Sequence, residues 1–122
     1  MNRTSGTYKK NLGVRGQQIG VQWLQNQGFE ILLENYRPTR AFSGAGEIDV
    51  VCSKHGEIHF VEVKYHFEFL GQNLISTRQR ARLWQSAKVY RAEYQLRASQ
   101  NIRIWLLWIN CSNGHIEFLE NP

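Results

Sequence analysis

Near its C-terminal end the chain carries "NIRIWLLWINC" (Asn101 to Cys111), an almost continuous apolar run of strand-forming residues. A strand with one wet face alternates apolar and polar side chains, whereas a run apolar on both sides needs cover on both faces. A chain of 122 residues has room for one such core and one domain. The run therefore predicts a sheet sandwiched between other elements, which the rest of the sequence has to supply.

Two helical segments do so. From about Val14 to Gln27 the pattern is helical and stops at Gly28, a usual C-cap residue. Gly13, Gly16 and Gly20 share one side of that helix beside Trp23 and Leu24, which predicts a backbone lying very close to a flat partner, naturally a sheet. Ser76 or Thr77 caps a second helix running to about Leu96, with Leu83, Ala87, Tyr90 and Tyr94 as its apolar stripe and Trp84 at the margin. The segments Phe29–Arg37, Glu47–Cys52, Ile58–Lys64 and "HIEFLE" read as strands, the middle two joined by "SKHGE", a link of hairpin length. "PTRAFSGAG" and the stretch around Gly71 read as loops. Residues 1–12, rich in Asn, Thr, Ser, Gly and Lys, read as a flexible basic arm ahead of a single domain over 13–122. The order helix, three strands, helix, two strands is that of an α/β protein with its sheet between helices.

With 42% hydrophobic residues and two prolines the chain has the profile of a folded domain rather than a disordered one. It has no run near the ~18 apolar residues of a membrane span and no apolar segment at its start, so no membrane partner and a cytoplasmic location are expected. Cys52 and Cys111 sit in apolar runs without a neighbouring Cys, as buried free thiols do. The net charge of +5 is unevenly spread. Between Arg78 and Arg97 there are six basic residues and one acid, Glu93. On the second helix Arg80, Lys88 and Arg91 fall on one flank and Arg78 and Arg82 on the other; the arm adds Lys9 and Lys10. Such basic edges suit a phosphate backbone, so nucleic acid is an expected partner, although a solvated helix face has the same pattern.

Acids inside two of the strand segments are harder to place. Strand interiors are depleted in Asp and Glu, yet "GEIDVV" carries Glu47 and Asp49, and "HFVEVKYH" carries Glu62. Alternation puts Ile58, Phe60, Glu62 and Lys64 on one face of their strand. A hairpin turning near Lys54 and His55 would set Asp49 opposite Phe60 and diagonal to Glu62, within range of a shared ion. Two readings follow from spacing alone. Either Glu62 and Lys64 make an ordinary same-face ion pair, or Asp49 and Glu62 converge on a hard divalent cation while Lys64 serves a water, as in phosphodiester hydrolysis. His55, His59, His66 and His115 show no zinc spacing. Trp84, Tyr90 and Tyr94 fit a core stripe better than a base-stacking platform.

"GEIDVV" followed by "HFVEVKYH" resembles the paired signature of the YraN family, small bacterial proteins assigned to the PD-(D/E)XK nuclease superfamily and similar to archaeal Holliday-junction resolvases. "GVRGQQIGVQWLQNQGFEILLENYR" resembles that family's opening helix and strand, and "STRQRARLWQSAKVY" and "NIRIWLLWI" its later segments, so the likeness runs from about Gly13 to Phe118. It implies a restriction-endonuclease-like core with a central mixed sheet, a Mg²⁺- or Mn²⁺-dependent endonuclease acting on DNA of branched or junction-like form, and a homodimer where a junction presents two symmetric cuts. Residue by residue, it implies Asp49 as the motif aspartate, Glu62 as the second carboxylate, Lys64 as the motif lysine and Gln79 as a polar residue near the scissile phosphate. Glu47 stands beside the motif aspartate as an auxiliary acid. The chain departs from the family at Gln17, where Glu is usual, at Trp105, where Asp is common, and at His66, where Arg is common. The other readings that keep this fold are a catalytically weakened nucleic-acid-binding protein and a protein-interaction module.

Overall fold

A computed structural model describes the backbone of residues 2–38, 46–66 and 75–120, and the side chains of these from Gly13 onward. The elements run α1 (Asn2–Asn26), β1 (Glu30–Tyr36), β2 (Ile48–Lys54), β3 (Glu57–His66), α2 (Thr77–Glu93), β4 (Ile102–Asn110) and β5 (Ile116–Glu120). This is the α-β-β-β-α-β-β order expected. The strands form one five-stranded mixed sheet in sequence order, antiparallel throughout except that β3 and β4 run parallel. A parallel pair needs a crossover, and α2 lies in that connection.

The two helices cover opposite faces. Phe60, Ile104, Leu106 and Trp108 pack with Leu83, Ala87 and Tyr90 of α2. Val50, Val61, Leu107 and Ile109 pack with Leu24 of α1. Adjacent β4 residues thus belong to different layers, which is why that strand is apolar throughout. Against α1 the small residues matter. A Cβ on Gly16 would lie 2.5 Å from Tyr65 Cβ, and one on Gly20 3.0 Å from Leu107 Cδ2. Gly13 differs from that expectation, since a Cβ there would meet nothing within 4 Å.

α1 begins at Asn2 rather than near Val14, so the segment expected as an arm continues the helix. It holds one glycine and no proline, and extending an existing helix is far easier than starting one. α2 is N-capped by Ser76, whose Oγ accepts from the Gln79 N–H, and ends at Glu93 rather than Leu96. The segments 39–45 and 67–74, which contain most of "PTRAFSGAG" and Gly71, lie outside the described residues.

The β2–β3 turn is a two-residue hairpin at His55 and Gly56, both at positive φ (52° and 76°), with Lys54 paired to Glu57. Two positive φ values match the strand twist. This moves the register by two residues from the expected one: Val51 rather than Asp49 faces Phe60, and Val50 faces Val61. One further step sets Asp49 across from Glu62, directly and not diagonally. Cys52 is buried and Cys111 half-buried, and both are free thiols; burial pushes the Cys52 thiol up to about 12.

Candidate active site

The site sits where β2 begins and β3 is past its midpoint, the end of the sheet away from the hairpin. There a recess of about 470 Å³ opens between α1 and the strands, lined by Gln17 and Gln18 on one side and by Glu34, Asn35, Asp49 and Glu62 on the other, with Glu47 at its edge.

Asp49 and Glu62 are brought together by the register, close enough for each to shift the other's ionisation. The Val63 N–H donates to Asp49 Oδ2 at 2.8 Å, which fixes that carboxylate against β3. Burial, reinforced by the Asp49 charge, pushes the Glu62 carboxyl up to about 8, so the pair holds a proton more readily than free carboxyls do. Burial raises Asp49 as well, against the opposing pull of the Val63 N–H, Glu62 and Lys64. Lys64 Nζ stands 3.7 Å from Glu62 Oε1, both side chains largely out of solvent. The aspartate, the second carboxylate and the lysine named from sequence are therefore neighbours.

The outer residues divide. Gln17 does reach the recess, where its Nε2 donates to Glu34 Oε1 at 3.3 Å. A carboxylate only accepts, so this bond turns the Gln17 carbonyl oxygen away from Glu34. Glu47 lines the recess and pairs with Arg37 at 2.7 Å. Gln79 stands in the first turn of α2 and is not among the described lining residues. Trp105, the departure on β4, faces the α1 layer: its Nε1 donates to His59 Nδ1 at 2.8 Å and its ring stacks on Phe118 at 4.3 Å. It builds core, not site. His66 ends β3 and is exposed.

On α2, Arg78, Arg82 and Lys88 are exposed and Arg80 is half-buried. Arg91 is engaged otherwise, donating to the carbonyls of Arg97 and Gln100 and so holding the link to β4. The side chains of Lys9 and Lys10 lie outside the described residues. Tyr94 is 49% exposed, against the expectation that the whole stripe is buried, and stacks on Tyr90; Trp84, placed at the margin, is 37% exposed.

Sequence reasoning passed over Glu34, Asn35 and Ser86. Asn35 has φ 53°, a left-handed conformation near the end of β1 that Asn tolerates better than most residues. It breaks the alternation of β1, so that Glu34 turns to α1 while Tyr36 turns into the α2 core and donates to Glu93 at 2.8 Å. Ser86 is fully buried and binds Gly46 twice, accepting from its N–H and donating to its carbonyl.

Residues 16–109 match the profile of a family described as "Uncharacterised protein family UPF0102", the YraN family of the sequence resemblance. The chain belongs to this family. It is 29% identical over 109 residues to a UPF0102 protein of Wolinella succinogenes, covering 89% of this chain and 93% of that one. It is 29% identical over 119 residues to one of Brachyspira hyodysenteriae, covering 93% and 95%. A UPF0102 protein of Chlorobium phaeobacteroides is 42% identical over 53 residues, 43% of this chain and 38% of that one. Among the described residues no helix is long and apolar enough to cross a membrane.

Proposed function

We propose that this protein is a divalent-cation-dependent endonuclease that hydrolyses phosphodiester bonds in DNA, with branched or junction-like DNA as its substrate class. The observation that carries this reading is the juxtaposition of Asp49 and Glu62 on neighbouring strands in an open recess, with Lys64 beside Glu62. Two facing buried carboxyls are electrostatically unfavourable as ions, and a hard cation relieves that.

The donor set fits Mg²⁺ or Mn²⁺. It is all oxygen, with Asp49 and Glu62 as the ligands and the Gln17 carbonyl and Glu47 in the same recess. Among the described residues no three His, Cys, Asp or Glu side chains group to hold an ion by themselves; Mg²⁺ is commonly held by one or two carboxylates, with waters and substrate phosphate completing its shell. Such an ion supplies a Lewis acid for the phosphoryl oxygen and lowers the pKa of a bound water. The Val63 N–H holds Asp49 in place, Asp49 and Glu62 would hold the cation, and Lys64 would offset the charge that builds on phosphate. Exposed Arg78, Arg82 and Lys88 hold the DNA backbone.

Purified protein given Mg²⁺ or Mn²⁺ cuts a DNA substrate, and Asp49→Ala and Lys64→Ala each slow the cutting by roughly 10²–10³-fold. Unchanged cutting in both variants excludes this site. The neutral Gln17 and the lack of a third grouped acid favour a second reading, a DNA-binding protein of the same fold without turnover. Salt-sensitive, metal-independent binding with no cleavage would select it.

A further inference from the structure

Four acidic residues, Glu34, Glu47, Asp49 and Glu62, line the recess, so a phosphodiester approaching it needs hydrogen-bond donors. Most donors there are committed: the Gln17 amide to Glu34 and the Val63 N–H to Asp49. Lys64 is paired with Glu62. Two exposed amides of the lining, Gln18 on α1 and Asn35 on β1, have no hydrogen-bond partner among the described residues; of these, Asn35 is the one on the strand next to Asp49. The pairings Glu34 to Val50 and Tyr36 to Ile48 set it directly across from Asp49. Two residues on, Arg37 is anchored through Nε to Glu47 while its side chain is 81% exposed, leaving the outer guanidinium N–H groups to solvent.

We propose that Asn35 and Arg37, at the end of β1, form the lip that grips a DNA phosphate beside the Asp49–Glu62 pair, Asn35 through its amide N–H₂ and Arg37 through its outer guanidinium nitrogens. This deepens the nuclease reading and rests on it for the choice of DNA. The left-handed backbone at Asn35 is what separates its side chain from those of Glu34 and Tyr36, and Glu47 holds Arg37 at the rim. An arginine so anchored presents a planar donor pair suited to phosphate.

The test is binding of a labelled branched DNA, followed by fluorescence anisotropy without divalent ions, where neither cutting nor metal enters. Asn35→Gly keeps the backbone free to adopt positive φ and removes only the amide. It weakens binding roughly tenfold, Asn35→Asp at least as much, and Arg37→Gln similarly with a salt slope lower by about one. Arg97→Gln, a charge-matched change in the link before β4 at the far end of the sheet, shifts binding less than twofold. Wild-type affinity in Asn35→Gly and Asn35→Asp, losses in Arg37→Gln no larger than in Arg97→Gln, or no DNA binding by the wild type overturns the proposal. Failure of the nuclease reading appears separately, as absent metal-dependent cleavage, and leaves these binding results intact.

Discussion

The two ends of the sheet treat negative charge in opposite ways. At the hairpin end Arg103 sits between Glu57 at 2.9 Å and Glu120 at 2.7 Å, in open solvent, and the arginine holds the Glu57 carboxyl below its usual range. At the recess end Asp49 and Glu62 face each other half-buried, with one lysine near them, and both rise. One sheet, built from the same residue types, neutralises its acids where they only hold strands together and crowds them where a recess opens. The contrast separates a structural ion pair from two carboxyls crowded together beside a recess.

pH gives the largest separation. Without metal, Glu62 holds its proton from about 4.5, its ordinary value, to about 8, so the folded state binds more protons than the unfolded one across that window. The contribution is therefore fully present below the lower value and is lost as pH rises through the upper one, at up to roughly 1.4 kcal/mol per pH unit. Denaturant titrations of wild type and Glu62→Gln between pH 5 and 8 isolate this from the histidines. The wild type falls relative to the variant as pH rises, and saturating Mg²⁺ removes or reverses the trend. A flat difference means that the two carboxyls are not juxtaposed.

Helix packing comes next. Gly16→Ala forces a methyl into Tyr65 and destabilises by about 1–3 kcal/mol, the usual range for overpacking. Gly13→Ala, in open space on the same helix, stabilises by about 0.5–1 kcal/mol. Melting curves that rank them the other way contradict the contact between α1 and β3. The smallest effect belongs to the hairpin end, where Arg103→Gln barely moves the melting temperature at physiological salt and leaves cleavage as it was. A large loss of cleavage there would erase the contrast between the two ends.

Most of this was legible in the chain itself, for identifiable reasons. The apolar run of β4 declared a two-sided sheet, and alternation set Glu62 and Lys64 on one side of β3. Hairpin length called for an antiparallel β2–β3 pair. What sequence did not carry is the exact register, because "SKHGE" offers several turns and only the pairing of Lys54 with Glu57 decides among them. Asn35 was equally hidden, since nothing in "LLENYR" but the asparagine itself signals a strand that changes faces. Ser86 looked like an ordinary polar helix residue until Gly46 was seen to use both its donor and its acceptor. The aromatic neighbours of Trp105 belong to β3 and β5, so its role could not be inferred from β4 alone.

The bond pair between Ser86 and Gly46 has a bearing on how this protein can vary. Because the first residue of the path into β2 is tied to α2 through both its N–H and its carbonyl, Asp49 is positioned from α2 as well as from β1 and β3. Residues inserted or deleted between Pro38 and Gly46 are absorbed upstream of that tie. The length of this connection can therefore drift among relatives while the spacing between the two carboxyls stays fixed, so long as a side chain the size of serine, bearing a hydroxyl, remains at position 86.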